Sequence, residues 1–179
     1  MGFPKEPQPV KLFVALLTRH QELFPAVEEE IAALFGAADS ASASLPWTVS
    51  DYYEKEMGSA LLRKFVSFGS PVSPGELAEI KLKTQGLEER YRWNEGERRG
   101  RRINIDPGYL DGGKIVLAST KGASHRVYLG SGVYGEVTLL YRNGSFAPLP
   151  YTYPDYLWPE TLAFFTGLRA LYLAQLKQA

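Results

Sequence analysis

The chain has 179 residues, 45% hydrophobic and 22% charged, with 20 basic and 20 acidic side chains and no cysteine. These are the proportions of a globular protein long enough to bury a core. Charge neutrality excludes a chain whose whole surface grips nucleic acid or acidic membrane, and the lack of cysteine excludes disulfides, thiolate metal sites and cysteine nucleophiles.

Residues 1–9 form an extended arm with three prolines and no hydrophobic signal core. The myristoylation pattern fails at Glu6, where serine or threonine is needed. No run approaches the roughly 18 apolar residues that span a bilayer, so a cytoplasmic chain with no membrane partner is expected. Val10 to Leu17 is a nearly unbroken apolar run and reads as a buried strand. A helix follows from near Pro25, with Val27, Ile31, Leu34 and Phe35 at helical spacing and Gly36 closing it. Ala41 to Thr48 is a candidate strand interrupted by Pro46, and Leu62 to Phe68 alternates as a strand should.

Pro71 to Pro74 reads as a turn, followed by a helix from about Gly75 to Tyr91 with Leu77, Ile80, Leu87 and Tyr91 inward. Asn94 to Gly100 reads as a polar loop, and Arg101 to Ile105 as a short strand ended by the turn signal Asp106-Pro107-Gly108. Ile115 to Ser119, His125 to Leu129, Val133 to Arg142 and Ser145 to Leu149 form a β-meander, with Asn143-Gly144 as a type I′ hairpin turn. A last helix covers about Pro159 to Lys177. The expected architecture is a single α+β domain: a ferredoxin-like βαββαβ core extended by an antiparallel β-meander and a C-terminal helix. Doubly wound α/β is the alternative.

Chemistry-bearing motifs are few. Gly130-Ser131-Gly132-Val133-Tyr134-Gly135-Glu136-Val137 matches the glycine-rich phosphate loop of protein kinases, but no lysine, catalytic loop or metal-binding string follows. A tight hairpin explains Gly130 and Gly132, and a bulge or close packing explains Gly135. No Walker P-loop occurs. Only His20 and His125 exist, without the spacing of a zinc pair.

Lys121, His125 and Arg126 cluster in one loop, where a cation and an imidazole suit a phosphate or carboxylate. Strand alternation places His125 with Val127 and Leu129, opposite Arg126. Glu136 lies mid-strand between Tyr134 and Thr138, while Asn104 and Asp106 share a polar face on their own strand. A magnesium-type divalent site from Asp106, Glu136 and Asp51 is one reading of these carboxylates. For Asp51 and Glu54, the spacing of a helix capping box is the simpler account. Arg98, Arg99, Arg101 and Arg102 form a basic run, and Tyr151, Tyr153, Tyr156 and Trp158 crowd the segment before the last helix. Such groups suit RNA, but Glu88, Glu89, Glu95 and Glu97 interleave with the cations and point to a solvated, ion-paired surface.

Several longer strings, among them Asp51-Tyr52-Tyr53-Glu54-Lys55-Glu56-Met57-Gly58, Asn104-Ile105-Asp106-Pro107-Gly108-Tyr109, Ser124-His125-Arg126-Val127-Tyr128-Leu129-Gly130 and Tyr153-Pro154-Asp155-Tyr156, span nearly the whole chain. In these the chain resembles a bacterial family catalogued as a domain of unknown function, of the DUF4416 type. Some members carry the label "GTP-binding protein", which this chain would have to satisfy without a P-loop. The resemblance supplies no catalytic residues. From the residues themselves, the expectation is a small enzyme or sensor for an anionic, phosphorylated or nucleotide-like ligand. Lys121, Arg126, Asn104 and Asp51 would bind it, and His125, Glu136 and Asp106 would act on it. The alternative is an RNA- or protein-binding accessory module without catalysis.

Overall fold

A computed structural model describes residues 2–95 and 98–178, leaving the expectations for Glu97 outside the described residues. Strand β1 (Lys11–Thr18) lies at the centre, with all eight residues buried. It is flanked by β4 (Leu62–Phe68) and β7 (Ile103–Leu110). Beyond β4 lie the short β2 (Ala38–Ala41) and the two-residue β3 (Leu45–Pro46). The β7 side continues through β8 (Lys114–Ser119), β10 (Val133–Arg142) and β11 (Ser145–Pro148), with β9 (Val127–Gly130) pairing β10 at one end. Every pairing in this sheet is antiparallel. The order β7-β1-β4-β2, with one helix between β1 and β2 and another between β4 and β7, is the expected βαββαβ core, and the meander extends it. Parallel doubly wound pairing is absent among the described residues.

Helices α1 (Leu23–Phe35) and α3 (Leu77–Arg90) cover one face, burying Phe24, Val27, Ile31, Ile80 and Leu87 against Leu12, Val14, Leu16, Val66, Ile103 and Ile105. Helix α1 stops at Gly36, whose φ of 95° is easy only without a side chain. Entry into α3 is set by a capping box: Ser73 accepts from the Gly75 amide and Glu76 from the Ser73 amide, and Pro74 fixes the first turn. Helix α4 (Pro159–Leu176) covers the other face, where Phe165, Leu168 and Tyr172 meet Phe13, Phe65, Leu117 and Phe146. None of these helices is long and apolar enough to cross a membrane.

Three local expectations need correction. Asp106-Pro107-Gly108 is not a turn, because β7 runs through it to Leu110. Residues 94–100 are not a plain loop, since β5 (Arg92–Glu95) and β6 (Arg98–Arg101) pair as a hairpin. Asp51 and Glu54 do not form a capping box. The short α2 (Glu54–Met57) begins on Tyr53 without a side-chain cap, and only the Asp51 carbonyl takes part.

Candidate functional site

The site starts from a break in the sheet. Strands β7 and β8 pair only over Gly108–Leu110 and Ile115–Leu117, and before Gly108 they separate. Ladder bonds alternate sides along a strand, so Pro107 turns its nitrogen toward the same side as Ile105. The residue that cannot donate therefore sits where the ladder stops.

The bared edge of β7 is satisfied by α3. Glu88 Oε1 accepts the Ile105 amide at 2.7 Å, and Lys81 Nζ donates to the Ile105 carbonyl at 2.9 Å. Both side chains are buried, as unpaired backbone groups there would be costly. Reading Glu88 as part of a solvated, ion-paired surface was thus wrong. The signal for both residues was spacing: Leu77, Lys81, Thr84 and Glu88 recur at i, i+4, i+7 and i+11 on the buried face.

The gap opens into a cavity of about 400 Å³, a volume usual for small-molecule sites. Its floor is the α4 face of the sheet: Arg63 from β4, Asn104 and Asp106 from β7, Leu117 and Ser119 from β8, and Glu136 from β10. Lys81, Gln85 and Glu88 enter from α3, and Arg101 from β6. The walls include Trp47, Tyr52, Tyr53, Tyr153, Asp155 and Tyr156.

Four of the five cations in this lining are matched by carboxylates. Lys81 pairs with Asp106 at 3.0 Å, and Arg101 with Glu56 at 2.7 Å and Glu88 at 3.3 Å. Arg126 pairs with Glu136 at 2.7 Å, and Arg63 with Asp155 at 2.9 Å. Lys121 differs. Among the described residues no carboxylate lies within ion-pair distance of it, and its Nζ rests on Tyr52, donating to the phenol oxygen at 2.9 Å.

Burial sets the protonation pattern. It pushes Asp106 up, but the Lys81 and Arg63 charges and hydrogen bonds from Lys81 and Asn104 outweigh it and hold the carboxyl below its ordinary value. Burial wins at Glu88 and at Asp155, whose carboxyls are raised despite nearby cations. It also pushes the Tyr53 phenol up to about 12.

The Arg63–Asp155 pair is close without being well aligned. Arg63 Nε and Nη1, both Asp155 oxygens and the Tyr156 hydroxyl are buried and have no hydrogen-bond partner among the described residues. Each such group costs about 1–3 kcal/mol, and native proteins leave few of them. Arg63 lies on the same face of β4 as Phe65 and Ser67, and that alternation was the signal available for it. Asp155 follows Pro154 in a 3₁₀ turn, a placement no periodicity announces.

The residues singled out from sequence divide cleanly. Asn104, Asp106, Lys121, Arg126 and Glu136 all line the cavity. His125 stands outside that lining. Its ring stacks on Tyr151 at 4.1 Å and its Nε2 meets Glu136 Oε2 at 2.9 Å. His125 and Arg126 precede β9 in a turn, so strand alternation does not separate them, and both reach Glu136. Asp51 lines a different surface depression, with Thr48, Glu54, Ser59 and Leu61.

This arrangement does not suit a divalent ion at Asp106, Glu136 and Asp51. Lys81 and Asn104 hold Asp106, Arg126 and His125 hold Glu136, and Asp51 is in the other depression. No metal-binding cluster of three histidine or carboxylate side chains occurs among the described residues. The basic run is divided as well, since Arg101 turns inward while Arg99 and Arg102 stay exposed. The tyrosine-rich segment packs instead of presenting rings: Tyr156 is buried, Trp158 meets Trp47, and Tyr153 accepts a hydrogen bond from Arg126.

Comparison with known families agrees with the strings that run along the chain. Residues 8–172 match the family described as Domain of unknown function (DUF4416). The chain belongs to this family. No curated protein and no solved structure is detectably similar to it. The cavity of this DUF4416 chain lies within the matched span, and its chemistry has to be argued from its own side chains.

Proposed function

We propose that the cavity between β7 and β8 binds a small anionic ligand, with the ligand's charge seated at Lys121 on the rim. One observation carries this reading. Among the described residues, carboxylates answer every cation in the lining except Lys121, which is exposed and rests on the Tyr52 phenol. An anionic group there gains a charge-assisted hydrogen bond without displacing an existing ion pair. Ser119 and Thr120 beside it add hydroxyl donors.

The reading favours binding, as in a sensor or carrier, over turnover. Asp106 and Glu136, the candidate bases, are each held by a cation and a second polar group, and so lack the freedom of a general base. His125 acts on this account as a positioning residue for Glu136. The partner class is a phosphorylated or carboxylated metabolite rather than RNA, because the cation left unmatched among the described lining residues sits at a cavity rim and not in a basic stripe.

Thermal unfolding against nucleotides, phosphorylated metabolites, divalent metals and short RNAs tests the proposal. A ligand at about a hundred times its Kd adds roughly 2.7 kcal/mol to the native state. The expected result is a raised Tm with a phosphorylated or carboxylated compound, lost in Lys121→Gln. A shift produced by RNA or metal alone, or one unchanged in that variant, contradicts it.

A further inference from the structure

Four carboxylates belong to the described lining of the cavity, and they differ in how far they face it. The side chains of Asp155, Glu136 and Glu88 are 1%, 2% and 5% accessible, whereas that of Asp106 is 30% accessible. Asp106 therefore presents carboxylate surface to whatever fills the space, while the other three present almost none. Its place on β7 explains this, because β8 has already parted from the strand two residues later, at Gly108.

What Asp106 can still bind is specific. Lys81 Nζ donates to its Oδ1 at 3.0 Å and Asn104 Nδ2 to its Oδ2 at 2.5 Å. A carboxylate offers about four acceptor positions, so acceptor capacity is left over. The Lys81 and Arg63 charges hold the carboxyl below its ordinary value, so at neutral pH it is ionised and only accepts.

A ligand group that meets Asp106 therefore has to donate a hydrogen bond. An anionic group is repelled there, and a hydrocarbon strips solvent from the carboxylate without replacing its hydrogen bonds. An ammonium fits no better, because Lys81 already matches the charge and a second cation would sit beside Lys81 and in the field of Arg63. An uncharged O–H or N–H meets none of these objections. Gln85 lines the cavity from α3, one turn from both Lys81 and Glu88, and its half-buried amide can accept from or donate to the same group.

We infer that Asp106 determines the specificity of this cavity, so that the ligand is an anion whose far end is an uncharged hydroxyl or N–H donor. This inference rests on the reading in which Lys121 at the rim takes the anionic group, and it adds what the floor requires. Simple fatty-acid-like anions and zwitterions ending in an ammonium are then poor ligands.

Isothermal titration calorimetry of the full chain tests it with alkyl phosphates of two to six carbons and with inorganic phosphate. Each alkyl phosphate is used as the unsubstituted, the ω-hydroxy and the ω-amino compound. At the best chain length the hydroxy compound is expected to bind about tenfold tighter than either counterpart. Asp106→Asn keeps the size and an acceptor for Lys81. The preference should fall to about threefold in that variant, because a charge-assisted hydrogen bond is roughly twice as strong as a neutral one. Asp106→Glu keeps the charge and lengthens the side chain by one methylene, so the preference should move to a shorter chain. That variant decides the matter if Asp106→Asn does not fold. Lys121→Gln should weaken every phosphate together. Equal binding of the hydroxy and alkyl compounds, an amino compound as tight as the hydroxy one, or a preference unmoved in both Asp106 variants overturns the role of Asp106. In those cases a loss of binding in Lys121→Gln still upholds the anion site. A preference that depends on Asp106 but comes with full affinity in Lys121→Gln overturns the anion placement and leaves the Asp106 contact standing. Failure of every probe to bind the wild type overturns both.

Discussion

Replacing Glu88 by alanine probes the feature that creates the cavity, the handover of β7 hydrogen bonds from a neighbouring strand to α3. Glu88 is 4% exposed, takes the Ile105 amide at 2.7 Å and contacts Arg101 at 3.3 Å. Its loss strands a buried N–H, which costs about 1–3 kcal/mol, and removes one of the two carboxylates on Arg101. Arg101 keeps Glu56 and Asn104, and Lys81 keeps Asp106, so the full cost of breaking a buried pair does not apply. The expected destabilisation is about 3 kcal/mol, or roughly 6–12 °C in Tm for a domain of this size.

Glu88→Gln keeps an acceptor for the amide and discards a charge whose burial is unfavourable, so about 1 kcal/mol is expected. The neighbouring Glu89 pairs with Arg92 at the surface, and Glu89→Ala should stay within about 0.5 kcal/mol. Urea unfolding measures all three, and amide exchange at Ile105 gives a local readout. If Glu88→Ala is as mild as Glu89→Ala, with Ile105 exchange unchanged, α3 does not complete the edge of β7 and the argument fails.

Other perturbations test neighbouring parts. Gly108→Ala would place a methyl 2.6 Å from both the Val116 carbonyl oxygen and the Phe13 ring. Backbone cannot yield there, so a loss of about 1–3 kcal/mol is expected in urea unfolding, and a neutral result would contradict the tight β7–β8 junction. Asp106 has a lowered carboxyl, so its stabilising effect is present above the unfolded value, near pH 4, and lost as pH falls through the folded value. The stability gap between wild type and Asp106→Asn should therefore shrink between pH 6 and pH 2, whereas a constant gap would contradict that sign. Arg126 ties Glu136, Ser119, the Lys121 carbonyl and Tyr153 together. Arg126→Ala leaves the buried Glu136 with His125 alone, and about 2 kcal/mol of lost stability is expected, with faster amide exchange across residues 119–126.

The architecture was legible where burial imposes a period. The apolar run of β1, the alternation in β4, the Asn143-Gly144 turn with φ of 52° and 84°, and β10 from Val133 to Arg142 all stood in the expected places. Reading failed where one residue serves tertiary structure against its local habit. Pro107 reads as a turn in isolation, but sits in a strand because its missing N–H faces the gap between β7 and β8. Glu88 reads as a surface charge until a bare strand edge requires it.

The site was half legible for the same reason. Glu136, Asp106, Asn104, Lys121 and Arg126 drew notice as polar residues on or beside strands, and the fold brings them to one cavity. Arg63 and Asp155 are far apart in sequence, so their pairing depends on the fold bringing the turn before α4 to β4. His125 and Asp51 had the right chemistry, but their backbones place one behind Glu136 and the other in a separate depression.

The central claim is that this cavity binds a small anion through Lys121, and a ¹H–¹⁵N NMR titration of the full chain with ribose 5-phosphate and inorganic phosphate tests it most directly. The account predicts saturable shifts confined to the amides of Ser119, Thr120 and Lys121 and to the Nε–H group of Arg126, with the Ser119–Lys121 shifts abolished in Lys121→Gln. Shifts centred instead on the exposed Arg99 and Arg102, or none at all at saturating phosphate, would contradict it.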